Sequence, residues 1–116
     1  MLVINEKEMQ WETTPGSNLS LKNIVQDYRI GEGLMSGGVA KWPKGKAGEP
    51  HIHPDQDEIY IILRGRGIAN LKGELRELGP GDMLHAKSGE VHGMVEGLTQ
   101  DGVEMFFVLV PKEKKN

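Results

Sequence analysis

Sixteen glycines and six prolines are spread almost evenly along this chain, and between them apolar residues alternate with polar ones or run for only a few positions. An amphipathic helix needs apolar residues at i, i+3 and i+4 over about eleven residues or more, whereas short alternating runs bounded by turn residues are the mark of strands. The chain therefore reads as all-β. The expected strands are Leu21 to Tyr28, Leu34 to Trp42, Glu58 to Leu63, Gly67 to Leu71, Glu74 to Leu78, Asp82 to Ala86, His92 to Val95 and Val103 to Val110. Reversals fall at Pro43-Lys44-Gly45, Gly65-Arg66-Gly67, Lys72-Gly73, Gly79-Pro80-Gly81 and Ser88-Gly89, where glycine supplies positive φ and proline a fixed corner. Many short strands separated by such turns favour a closed sheet or sandwich over βαβ units, which would need helices between the strands.

A length of 116 residues allows one domain with a single core. We divide it into an N-terminal arm or edge strands over 1–30, a barrel over 33–110 and a charged tail over 111–116. Fourteen Lys and Arg stand against seventeen Asp and Glu, so no positive field is available for a phosphate backbone and nucleic acid is not an expected partner. The longest apolar runs, Ile59 to Leu63 and Met105 to Val110, fall far short of the ~20 residues that span a bilayer, and the first residues carry no basic and apolar leader pattern. A cytoplasmic protein with no membrane partner is the expectation. Cysteine is absent, which leaves imidazole and oxygen as the only metal-binding side chains.

Two of the four histidines form His51-Ile52-His53, and Glu58 follows after the short stretch Pro54 to Asp57. In an extended chain alternate side chains share a face, so the two imidazoles project together from Cα atoms about 6.5 Å apart. If the intervening residues turn the chain, Glu58 brings a carboxylate beside them. His92, after a further glycine turn, can close the site from a neighbouring strand. Tyr60 and Ile62 share parity with Glu58 and should face the interior, while Ile59, Ile61 and Leu63 face away.

The order of these residues carries more than their chemistry. Gly45, His51, His53, Glu58 and Gly65 read G-x5-H-x-H-x4-E-x6-G, and Gly81-Asp82, Gly89 and His92 read G-D-x6-G-x2-H, with fifteen residues between Gly65 and Gly81. This resembles the two motifs of the cupin superfamily, in the form of its small single-domain members. Two positions depart from the family pattern: Lys87 stands where proline is usual, and Glu96 where asparagine often follows the histidine. Neither position normally binds metal.

The resemblance implies a double-stranded β-helix, or jelly-roll barrel, with His51, His53, Glu58 and His92 holding one divalent transition metal. A thiolate-free set suits Mn, Fe, Co, Ni, Cu or Zn, and affinity order alone does not choose among them. It also implies a small-molecule ligand in the barrel and, by analogy with many cupins, a homodimer, for which the run around Met105, Phe106 and Phe107 is a candidate surface. The leading functional reading is a metal-dependent enzyme of the dioxygenase, decarboxylase or isomerase type acting on a chelating substrate. The competing readings are a non-enzymatic binding or sensing module and a sugar-phosphate isomerase-like cupin, the latter needing a clearer basic cradle than Arg64, Arg66 and Lys87 provide. Spacing does not single out a proton-transfer residue among Tyr60, His85, Glu96 and Glu104.

Overall fold

The computed structural model describes residues 3–13, 15–30 and 33–112. Among these, apart from a 3-10 turn at Glu6–Glu8, the regular structure is entirely strand: β1 (Glu12–Thr13), β2 (Ser20–Ile30), β3 (Gly33–Trp42), β4 (Gly45–Lys46), β5 (Gln56–Arg64), β6 (Gly67–Leu71), β7 (Glu74–Leu78), β8 (Met83–Ala86), β9 (His92–Gly97) and β10 (Val103–Pro111). No helix in this described part is long and apolar enough to cross a membrane. The tail is described only to Lys112, so the rest of the segment assigned to 111–116 lies outside the described residues.

The strands form two antiparallel sheets, one in the order β1-β2-β3-β10-β5-β8 and the other β4-β9-β6-β7. These are the two walls of the double-stranded β-helix. The local chemistry explains why the chain reverses where it does. Between β6 and β7 only Lys72 and Gly73 intervene, at φ 56° and 94°, and both positive values belong to the turn whose twist matches that of the flanking strands. Asn70 Oδ1 accepts from the Gly73 amide at 2.8 Å and holds that turn. At the end of β5, Gly65 has φ 77°, and a Cβ there would lie 2.0 Å from the Gly102 carbonyl oxygen, so only glycine fits.

Burial follows the expected parity. Along β5, Glu58, Tyr60 and Ile62 are buried while Ile59 is exposed; along β10, Val103, Met105 and Phe107 are buried while Phe106 and Val110 are exposed. The run from Met105 to Val110 thus alternates inward and outward. The core joins Ala40, Trp42, Tyr60, Ile62, Ala69, Met94, Val103, Met105 and Phe107 from both sheets.

Several boundaries differ from the sequence reading, each for a contact the local sequence does not announce. Asp82 lies before β8 because it closes a turn: its carboxylate accepts from the Gly79 amide at 2.8 Å and its own amide donates to the Gly79 carbonyl. Gly45, read as part of a turn, and Lys46 after it make a two-residue pairing with Gly97 and Glu96. Strand β2 lies between β1 and β3, and its Leu21, with Leu19 just before the strand, packs against the core. On the outer face the segment around the 3-10 turn covers β2. The Lys22 ammonium donates to Glu6 O and Oε2 at 2.7 and 3.0 Å and lies 4.3 Å from the centre of the Trp11 ring, which accounts for a lysine only 7% exposed.

Candidate metal centre

Three pieces of backbone converge at one end of the space between the sheets. Strand β5 delivers Glu58 on its inward face. Strand β9 begins at His92. His51 is attached to His92 by an isolated antiparallel bridge, with amide-to-carbonyl distances of 2.8 and 3.0 Å in the two directions. The His-x-His segment is therefore extended but is a single bridge and not a strand, with Pro54 just beyond it. The predicted parity survives, and His53 reaches the same point as His51.

Ligand atoms of His51, His53, Glu58 and His92 all lie within 4.8 Å of one another. Two donors held 2.0 to 2.1 Å from one cation can be at most about 4 Å apart, so the cluster is close to ligating dimensions. The imidazole centroids are 4.6 to 5.1 Å apart, and Glu58 Oε2 is 3.2 Å from His53 Nε2 and 3.4 Å from His92 Nε2. His92 and Glu58 are buried, His53 is half-buried and His51 is exposed, so the cluster runs from the mouth inward.

Ring orientation is fixed from behind. His51 Nδ1 is 3.1 Å from the Glu49 carbonyl and His92 Nδ1 is 2.9 Å from the Glu90 carbonyl. A carbonyl only accepts, so each Nδ1 donates, and the neutral ring carries its lone pair on Nε2, facing the cluster. Such backing of a ligating imidazole is what a metal site uses. These two carbonyls, each two residues before its histidine, had no side-chain signal in the sequence. Burial lowers the basicity of His53 against the opposing pull of Glu58, whereas the hydrogen bond to Glu58 raises that of His92. Three imidazoles, one carboxylate and no thiolate fit a divalent transition ion.

Behind the cluster lies a cavity of about 210 Å³. It is lined, besides the four donors, by Leu19, Leu21, Ala40, Trp42, Tyr60, Gly93, Met94, Met105, Phe107 and Leu109. Tyr60 is 3% exposed and its hydroxyl has no hydrogen-bond partner among the described residues. Burial, with a contribution from the Glu58 carboxylate, pushes its pKa far above the ordinary phenol value, so it is a donor and not a base at neutral pH.

The remaining candidates for proton transfer are not brought to this cavity. His85 is exposed on β8, 2.9 Å from Asp57 Oδ2. Glu96 is exposed on β9. Glu104 pairs with Arg64, which also contacts Glu6 at 2.8 Å. Arg66 pairs with Glu77 at 3.1 Å, and neither it, Arg64 nor Lys87 lines the cavity.

A cupin domain family model matches residues 38–109. Among curated proteins, the pectin degradation protein KdgF of Dickeya dadantii (strain 3937) is 33% identical over 69 residues, covering 60% of this chain and 61% of that protein. The chain thus matches about three-fifths of that relative's length. Of the similar solved structures, KdgF from Halomonas sp. has a TM-score of 0.73 at 24% identity, covering 95% of this chain and 93% of that one. A predicted oxalate decarboxylase from Thermotoga maritima has a TM-score of 0.78 at 22% identity, covering 96% and 100%. At these identities both likenesses bear on the fold.

Proposed function

This chain belongs to the cupin domain family, and on that premise we propose that it holds one divalent transition metal at His51, His53, Glu58 and His92 and acts on a small chelating molecule, as an enzyme of the dioxygenase, decarboxylase or isomerase type. One observation carries the reading: three donors from residues 51–58 and a fourth, His92, from a separate strand meet within 4.8 Å at a half-open cavity, with two imidazoles already oriented by carbonyls. A metal bound there supplies Lewis-acid or redox chemistry to an oxygen ligand.

The chain's own residues do the rest. Glu58 contributes the one negative charge of the donor set and, being buried with His92, fixes the inner half of the site. Exposed His51 at the mouth leaves a way in for the ligand. The apolar wall displaces water from the inner side, which strengthens every polar contact made inside. Tyr60 presents a hydroxyl that has no partner among the described residues and is free to donate.

A second reading, a binding module without turnover, has one observation in its favour. Outside the four donors, no residue lining the cavity offers a group that accepts a proton near neutrality. A sugar-phosphate isomerase role draws no support from a cavity wall without a cationic side chain. We also propose a homodimer formed through the outer face of the larger sheet, where Ile59, Met83 and Phe106 are exposed together.

Metal analysis of protein purified without added metal tests the site, with His51→Ala and His92→Ala as controls. The expected result is about one transition ion per chain in wild type and its loss in both variants. Full metal content in both folded variants would overturn the assignment. With the metal in place, product formation from chelating acids separates the enzyme from a binder, which gives saturable binding heat and no product.

A further inference from the structure

The wall of the cavity limits what the ligand can be. A sugar acid or sugar phosphate carries a hydroxyl on nearly every carbon, and each one buried without a partner is costly. Here, outside the four donors and Tyr60, the lining is leucine, alanine, methionine, phenylalanine, glycine and Trp42, whose indole nitrogen is turned toward Gly48. Neither a cation nor an amide side chain is among the lining residues, so a second carboxylate or a phosphate away from the cluster would find no counter-charge. The volume, about 210 Å³, lies below the ~300 Å³ at which ordinary ligand pockets begin, and the cavity is half open to solvent, so the part of the occupant held inside it is about the size of one substituted ring.

One polar atom is out of keeping with this wall. The Tyr60 hydroxyl is buried, lines the cavity and has no partner among the described residues. Buried hydroxyls are nearly always paired, so an unpaired one facing a cavity calls for an acceptor from the occupant. Tyr60 is two residues from Glu58 on the same inward face of β5, which puts this donor beside the donor cluster and not at the far end.

We propose that the ligand is a small, predominantly apolar chelator: its paired oxygens sit at the His51, His53, Glu58 and His92 cluster, one oxygen accepts from Tyr60, and its hydrocarbon body fills the space walled by Trp42, Met94, Met105 and Phe107. This rests on the metal reading above and adds the substrate class to it. A hydrophobic body and a single acceptor distinguish it from a polyhydroxylated sugar acid, for which this wall has no partners.

The test uses full-length protein loaded with cobalt(II), with three probes: benzohydroxamate, acetohydroxamate and galacturonate. The two hydroxamates share a chelating head and differ only in phenyl against methyl. Calorimetry and the cobalt absorption spectrum should show benzohydroxamate binding at least tenfold tighter than acetohydroxamate, and galacturonate weaker than either. Tyr60→Phe should keep its cobalt and the phenyl preference while losing severalfold in affinity for both hydroxamates. Equal affinities for the hydroxamates, or tightest binding by galacturonate, overturn the ligand class while leaving the metal site standing. Unchanged affinities in Tyr60→Phe remove the hydroxyl from ligand recognition. Failure of the wild type to take up cobalt overturns the metal reading and this inference with it.

Discussion

Replacing Tyr60 with phenylalanine should make the metal-free protein more stable. The residue is 3% exposed, its ring belongs to the core with Trp42, Ile62, Met105 and Phe107, and its hydroxyl has no partner among the described residues. The substitution keeps the ring and removes only the oxygen. A buried polar group left unpaired costs about 1 to 3 kcal/mol, whereas a well-paired one contributes about 1 kcal/mol, so the sign of the change reports which situation holds. Taking the lower figure, a gain of about 1 kcal/mol raises the unfolding midpoint of a 116-residue domain by ~4 °C. The phenol stays protonated through the neutral range, because burial pushes its pKa far up, so the difference between the two proteins should not change from pH 6 to pH 9. Scanning calorimetry in a chelating buffer, with urea titration as a second measure, reads the effect as a higher midpoint at constant m value. A Tyr60→Phe protein less stable by 1 kcal/mol or more would show that the hydroxyl is satisfied in the fold, and the argument that it awaits a ligand would fail. A residue that costs stability where it stands and is needed for binding is the expected signature of a functional position.

Two further predictions concern the outer surface of the larger sheet. The Lys22 hydrogen bond, helped by Arg64, holds the Glu6 carboxyl below its ordinary range. A lowered folded-state value gives stability that is present above about pH 4.5, the unfolded value, and is lost as pH falls through the folded one. Between pH 6 and pH 3 the wild-type midpoint should therefore fall more than that of Glu6→Gln, and parallel curves would refute the coupling. Phe106, 38% exposed and flanked across β5 by Ile59 and Ile61, sits in the middle of the proposed dimer face. Sedimentation should give twice the chain mass for wild type and the single mass for Phe106→Asp; a monomeric wild type, or a variant still dimeric, would sink that assignment.

How much of this was readable from the residues depended on whether the determining contact was local. Strands β6 and β7 fall at the expected residues because Lys72-Gly73 and the alternation on either side fix them without help from elsewhere. Strands β1 and β4 have no such signal: Glu12 and Gly45 are strands only because Leu21 and Gly97 arrive beside them. The four clustered donors were legible from motif order, and the inward direction of Tyr60 from its parity with Glu58. Parity would also have set His85 and Glu104 aside, since each lies between inward residues, Leu84 and Ala86 in one case and Val103 and Met105 in the other. The apolar wall was harder to see. Nothing local to Leu19, Met94 or Met105 marks them as part of one wall, and only the facing of two sheets turns them into a cavity lining.

The site and the fold can also be separated by experiment, because the glycine that fixes one end of β5 is far from the carboxylate near the other. Glu58 and Gly65 are seven residues apart, about 23 Å along an extended strand. A one-residue slip of β5 would turn Glu58 outward and Ile59 inward, so the metal site depends on this strand keeping its register. Register, however, is set by the many pairings with β10 and β8, including Leu109 opposite Glu58 and Ala86 on its other side, and not by Gly65 alone. Gly65→Ala should thus damage stability and spare the site. A left-handed backbone costs a non-glycine residue about 1 to 2 kcal/mol, and the new Cβ must also push away the Gly102 carbonyl, 2.0 Å from where it would sit. The midpoint should fall by ~4 °C or more, while the folded fraction still binds one metal per chain. His92→Ala should do the reverse in one respect that matters: it loses the metal with its ligand. If Gly65→Ala kept the wild-type midpoint but lost its metal, the register argument would be wrong, and the turn after β5 would have to act on the donors by some route other than pairing.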